Sequence, residues 1–254
     1  MIESKSQDDI IKFKMSGHSK WSTIKHQKAS EDQKRGRVFS KLAKAITVAV
    51  KERANGDPNT NAKLRLIMEQ AKQANMPRDN IQRAIDRGLG KGEGAQLETV
   101  LYEGFGPDRV AVVIECVTDS RNRTTSEIKA FLERTGGSLG APGSTNYLFE
   151  KKGLILIKKN QNLEEQMLKL MDLGIDDIDE GEKTIEAYTR ANELDSLKDK
   201  IQTAGFSIEG LGLILKAKTV VPIEGDKREK IIQFLSGLDE LEDVQKVYCN
   251  ADFI

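Results

Sequence analysis

The chain has 254 residues, 38% of them apolar and 31% charged, and its 40 basic and 40 acidic side chains cancel. That length predicts two or three modest domains rather than one large core, and the absence of any run of about 18 apolar residues excludes a membrane-spanning helix. The zero net charge conceals an asymmetry: residues 1–91 carry a formal +10 and residues 92–254 a formal −10, so a basic front is joined to an acidic back.

The first 14 residues, MIESKSQDDIIKFK, have neither the apolar core of a signal peptide nor the arginine-rich, acid-poor character of a transit peptide. A cytoplasmic location is expected, with residues 1–14 a disordered extension or translation starting at Met15. From Gly17 an arm interleaves Lys20, Lys25 and Lys28 with Trp21 and His26, and no acid follows before Glu31. Cations for phosphates beside an aromatic for a base face make a nucleic-acid footprint. Trp21 either stacks on a base or docks the arm through Ile24. His18 and His26, eight residues apart and without a third ligand, do not make a metal site.

The periodicity then predicts a helix over 38–53, closed by Asn55-Gly56-Asp57-Pro58. On a helical wheel Lys34, Arg37, Lys41, Lys44 and Lys51 share one arc, and Phe39, Leu42, Ile46 and Val50 the opposite one. Glu31 and Asp32 are the only acids from Gly17 to Lys51, so pairing along the helix cannot neutralise this face. Lys34, Arg35, Arg37, Lys41 and Lys44 are therefore expected to meet phosphates. Two more helices follow, 60–75 with Leu64, Ile67, Met68 and Ala71 inward, and 79–87 capped by Asp79 and ended by Gly88. Joined through Met76-Pro77-Arg78, this pair also fits a helix-turn-helix with Asn80, Arg83 and Arg87 on the reading helix.

Residues 88–94, four glycines without periodicity, read as a linker. Strands are expected at 99–105 and 109–117, the second apolar on both faces and so covered on each side. Arg121-Asn122-Arg123 between that strand and a helix form an anion seat, for an RNA phosphate or for a carboxylate of a neighbouring domain. Thr124 and Glu127 have capping-box spacing and place the helix start at Thr124. GGSLGAPGS lacks the ending of a nucleotide loop. Further on, the pattern predicts a hairpin around Lys151-Lys152-Gly153, a helix over 163–173, a strand pair turning at Glu180-Gly181, a helix over 194–203 and a strand over 208–218. The acidic run Asp176, Asp177, Asp179, Glu180 and Glu182 lacks the order of a calcium loop and reads as a solvated hairpin edge. The tail supplies a helix over 227–235 and a strand over 245–249, too short for a domain of its own. Cys116 and Cys249, in apolar runs without a CxxC partner, read as core residues in a reducing compartment.

Four stretches in order, GHSKWSTIKHQKASEDQKRG, MPRDNIQRAIDRG, VIECVTDSRNRT and GGSLGAPGSTNYLFEKKG, closely resemble the YebC/PmpR family. That family is described as probable transcriptional regulators, and its mitochondrial relatives, linked to cytochrome oxidase, act as translational activators. The resemblance implies an α+β protein of three domains: a helical bundle at 17–91, a discontinuous middle domain at 95–138 and 220–254, and an inserted domain of ferredoxin-like type at 139–219.

The residues and the resemblance together predict a non-enzymatic regulator of gene expression without cofactor, metal or catalytic residue, monomeric and not membrane-bound. Its basic N-terminal domain grips a nucleic acid, and its acidic domains meet a protein partner. RNA and the ribosome are favoured over duplex DNA, because a basic-aromatic arm suits unstacked RNA, whereas duplex readout calls for a rigid element in the major groove and paired half-sites. A DNA-binding transcriptional regulator is the alternative. An enzyme acting on RNA is the third reading, for which acid-base pair, nucleophile and metal ligands are all lacking.

Overall fold

The computed structural model describes residues 31–91, 96–181 and 184–253, the side chains of 31–35 excepted. The N-terminal bundle consists of α1 (Glu31–Arg53), α2 (Ala62–Gln73) and α3 (Arg78–Gly88). Ile46, Ala49 and Val50 of α1 pack with Leu64 and Ala71 of α2 and Ile81, Ala84 and Ile85 of α3. Asn61 explains the tight α1–α2 corner. Its carboxamide oxygen caps α2 by accepting from the Leu64 N–H, and its amide group donates to the carbonyls of Ala49 and Asn55. The third helix starts differently from expectation: Pro77 stands at the N-cap and Asp79 lies in the first turn, with no side-chain cap. Proline suits a helix start because its missing N–H would have no intrahelical partner there.

A four-stranded antiparallel sheet follows, in the order β3-β1-β2-β9, from β1 (Glu98–Phe105), β2 (Ala111–Thr118), β3 (Ser138–Leu139) and β9 (Val244–Cys249). On one face, α4 (Arg121–Arg134) and α7 (Lys227–Glu240) close a core around Ile114, Ile128, Leu132, Ile231 and Leu235. A small parallel pair, β8 (Val221–Ile223) with β10 (Ala251–Phe253), finishes this layer. β2 is covered on both faces as its unbroken apolar run predicts, since Ala111 and Val113 pack against the inserted strands and Val117 against Val48 of α1.

The inserted unit runs β4 (Phe149–Lys158), α5 (Leu163–Asp172), β5 (Asp177–Glu180), β6 (Thr184–Arg190), α6 (Leu194–Thr203) and β7 (Ile208–Ala217), with strand order β5-β6-β4-β7. That βαββαβ order with the first and third strands central is the ferredoxin-like arrangement. Met167 and Leu170 of α5 and Leu197 and Ile201 of α6 cover one face.

Three local expectations are corrected. Lys151-Lys152-Gly153 is not a hairpin but lies within β4, where Lys152 and Gly153 are paired on both sides. Glycine sits in this strand because a Cβ there would come within 2.8 Å of the Thr189 methyl and 3.0 Å of Leu194. α4 begins at Arg121 rather than Thr124, with Ser120 in the N-cap position. α7 continues past Leu235 to Glu240, through Gly237, whose bare backbone admits the Phe131 ring. The two cysteines are buried and unpaired, and burial pushes their thiols up, to about 12 for Cys116 and about 11 for Cys249. Among the described residues no helix is long and apolar enough to cross a membrane.

Candidate nucleic-acid interface

The arm with Lys20, Trp21, Lys25, His26 and Lys28 lies outside the described residues, as do the side chains of Lys34 and Arg35. The rest of the predicted basic arc is in view, and its cations face carboxylates of the same chain. Arg37 lies 3.3 Å from Glu240, and Lys41 lies 3.0 Å from Asp239. Lys44 lies 3.0 Å from Asp243. Lys41 and Lys44 also donate to the backbone carbonyls of Asp239 and Glu242 at 2.9 and 3.2 Å. About two turns further, Lys51 donates to the Leu97 carbonyl at 3.0 Å. The final turn of α7 has no basic residue of its own, so Lys41 complements the negative end of that helix from another unit of the fold.

Asp243 anchors this acidic rim. Its side chain is only 3% exposed and accepts from Lys44 on one oxygen, and from Arg123 at 2.8 Å and the Thr124 hydroxyl at 2.7 Å on the other. Burial alone would raise this carboxyl, but the bonds from Arg123, Thr124 and Lys44 hold it at about 2. Arg123 is raised in turn, chiefly by its bond to Asp243 and then by that to Asp119. Arg121 pairs with Glu98 at 2.9 Å. The Arg121–Arg123 seat is therefore occupied by internal carboxylates, within the same sheet-and-helix unit rather than across a domain boundary. Thr124 faces Asp243 instead of capping a helix.

A second seam joins α2 to the inserted unit. Arg65 pairs with Asp195 at 3.1 Å, Glu69 with Lys198 at 3.1 Å, and Gln70 donates to the Leu211 carbonyl. Where the seams meet, a cleft of about 410 Å³ opens between Leu66, Leu101 and Leu213, rimmed by Lys63, Lys151 and Lys246.

Exposed cations without a carboxylate partner lie elsewhere on the bundle. Lys72, Arg78, Arg83, Arg87 and Lys91 are exposed, and among the described residues none of them has a carboxylate within ion-pair distance. Arg83 is held by the Asp79 carbonyl and the Asn80 side chain, on the outer face of α3. Sequence reasoning assigned Asn80, Arg83 and Arg87 only to the DNA alternative and left Arg78 without a role. The acids Asp239, Glu240, Glu242 and Asp243, spaced around a helix end, were the available signal that α1 would be met from within.

Two other motifs resolve as internal anion sites. In GGSLGAPGS and its continuation, the N–H groups of Gly143, Thr145 and Asn146 converge at 2.7 Å each on the Glu103 carboxylate. Partial burial would raise the Glu103 carboxyl, but these amides lower it. Glu103→Gln should thus cost about 1–3 kcal/mol, because an amide NH₂ would face N–H donors. Thermal melts and faster amide exchange at 143–146 would register it; unchanged exchange would contradict the cradle. The acidic run does lie on a hairpin edge, β5 paired only with β6, with Asp176 and Asp177 exposed, but Asp179 is buried and the run is ion-paired. Asp176 pairs with Lys152, Asp177 and Asp179 with Lys216, and Glu180 with Lys159, because long lysine side chains reach across the sheet past β6, from β4, its C-terminal end and β7. Glu182 lies outside the described residues. Among the described residues no cluster of metal-ligating side chains occurs.

Comparison with known proteins places this geometry. Residues 19–91 match the model of the TACO1/YebC protein N-terminal domain, and residues 97–251 that of the TACO1/YebC second and third domain. The chain belongs to the TACO1/YebC family. Among TACO1/YebC relatives, one from Chloroflexus aurantiacus is 44% identical over 241 residues, covering 94% of this chain and 96% of the relative. One from Geobacter sulfurreducens is 41% identical over 238 residues with the same coverage. Both are named probable transcriptional regulatory protein. A crystal structure of a conserved hypothetical protein from Aquifex aeolicus is 42% identical and superposes with a TM-score of 0.84, covering 93% of this chain and 98% of that one.

Proposed function

We propose that this TACO1/YebC protein is a non-enzymatic nucleic-acid-binding regulator of gene expression that acts on RNA, as a translational activator at the ribosome. The observation that carries the reading is the outer face of the bundle, where Arg78, Arg83 and Arg87 on α3, with Lys72 and Lys91, present cations to solvent. The basic-aromatic arm, Lys20, Trp21, Lys25, His26 and Lys28, leads directly into the same bundle. Electrostatic contact of this kind follows a phosphate backbone without reading bases.

Support for RNA over duplex DNA is geometric. α3 has 11 residues and is buried along Ile81, Ala84 and Ile85. Its exposed side offers three arginines, and α1 packs across its back. Contacts to an irregular strand need no groove penetration. The names of the curated relatives favour the second reading, regulation of transcription on DNA. The acidic inserted unit then serves as the surface for a protein partner.

Cosedimentation of the full chain with ribosomes at moderate salt, set beside gel shifts on a single-stranded RNA and on duplex DNA of the same sequence, separates the two. Ribosome association with RNA bound at least about tenfold tighter than duplex is expected; a sequence-dependent duplex shift without ribosome association would overturn the RNA reading.

A further inference from the structure

On the basic face of α1, Lys41 and Lys44 are largely covered and Arg37 is half-exposed, and the acids that meet them resemble a phosphate row. Arg37, Lys41 and Lys44 succeed one another by about a helical turn, 4.5–6 Å of rise. They are met by Glu240, Asp239 and Asp243 at 3.3, 3.0 and 3.0 Å. A single nucleic-acid strand carries one charge per about 3.4 Å of axis, so it can serve the same row.

We propose that the Asp239–Asp243 rim is an intramolecular decoy for nucleic acid: it latches the N-terminal bundle closed on the sheet, and an RNA backbone displaces it, opening the bundle and freeing α1 for phosphate contact. This rests on the nucleic-acid reading above and adds its regulation.

The two sides of the latch are unequal. When the bundle swings away, Asp243 keeps Arg123 and Thr124 as partners, so the rim stays ordered. Lys44 loses both its carboxylate and the Glu242 carbonyl, and Lys41 loses the Asp239 carboxylate and carbonyl. Opening in plain buffer therefore removes these carboxylates and carbonyls from the cations without replacing them; opening onto a polyanion replaces each carboxylate with a phosphate oxygen. Pairs at a surface are individually weak and screened by salt. The buried apolar cluster at this seam is small, Val48 with Leu97 and Val117, so charge fastens α1 to the rim, while the second seam, with Leu66 on the core of the inserted unit and Gln70 on the Leu211 carbonyl, is the pivot about which the bundle opens. The exposed arginines of α3 provide the first foothold, since they are accessible while the latch is shut.

The test uses the full chain. A zero-length carbodiimide should join Lys41 to Asp239, read by peptide mass spectrometry, and saturating mixed-sequence single-stranded RNA should suppress that crosslink several-fold. Asp239→Asn/Glu240→Gln/Glu242→Gln, which leaves Asp243 in place, should bind the same RNA roughly threefold or more tightly, because the binding-competent open state becomes more populated. RNA binding by anisotropy with an undiminished crosslink, and equal affinity in the variant, would overturn the latch while leaving the nucleic-acid reading intact. Absence of RNA binding in both proteins would overturn that reading and the latch with it.

Discussion

Replacing Arg78, Arg83 and Arg87 together with glutamate is expected to weaken RNA binding at least about tenfold at moderate ionic strength and to lower the log–log salt slope by about 2. The second figure follows from roughly 0.7 of slope per phosphate contact on a single strand, three contacts being removed. These positions isolate the electrostatic term because all three side chains are exposed, whereas the apolar side of α3 is carried by Ile81, Ala84 and Ile85. The helix should form as before, and circular dichroism with an unchanged melting temperature would confirm it. The contrasting substitution is Lys41→Glu. It would place a carboxylate against Asp239 and lose the carbonyl contact at the end of α7, so its effect mixes stability, latching and binding. A salt slope that stays constant when the three arginines are reversed would show that phosphates are met elsewhere.

The same contrast shows what the sequence makes legible. Amphipathic periodicity identified α1 and its two faces, since that depends only on spacing along one helix. Whether the polar face meets water, a phosphate or another part of the chain depends on contacts across about 200 residues, such as Lys41 with Asp239, and no local pattern reports these. The helices and later strands of the inserted unit were legible from their periodicity, but the false hairpin at 151–153 hid the order of its first strand, and its ferredoxin-like type was implied by the family resemblance. Gly153 was misread as a turn because glycine is a turn signal unless a neighbour's side chain needs its space, as Thr189 and Leu194 do here. Likewise Thr124 has the spacing of a capping box, but its hydroxyl serves Asp243, a partner 119 residues away. GGSLGAPGS was recognised as glycine-rich, yet the anion it cradles, Glu103, lies on a strand 40 residues upstream of the first donor.

Asp243→Asn is expected to destabilise the chain by about 2 kcal/mol at neutral pH, and to do so only where the native carboxylate is ionised. The figure is the free-energy equivalent of moving the carboxyl from 3.8 to about 2, and in melting temperature it corresponds to roughly 4–8 °C. Asparagine keeps the shape and still accepts from the Thr124 hydroxyl, so packing is nearly conserved. What disappears is the charge that Arg123 and Lys44 share. The native pKa is depressed, so the unfolded state binds the proton more readily; the stabilisation is complete above the unfolded value near 4 and drains away as pH falls through about 2. The gap between wild type and variant in denaturant midpoint should therefore hold from pH 7 to about 5, shrink between pH 4 and 2, and close below that. A cavity or a lost packing contact would give a gap that persists in acid, and that result would refute the electrostatic assignment. Because Asp243 accepts Lys44 of the bundle on one oxygen and Arg123 of the sheet unit on the other, the variant should also loosen the seam between them. Proteolysis in the 88–97 segment, compared between the two proteins at pH 7, would report that loosening independently of global unfolding.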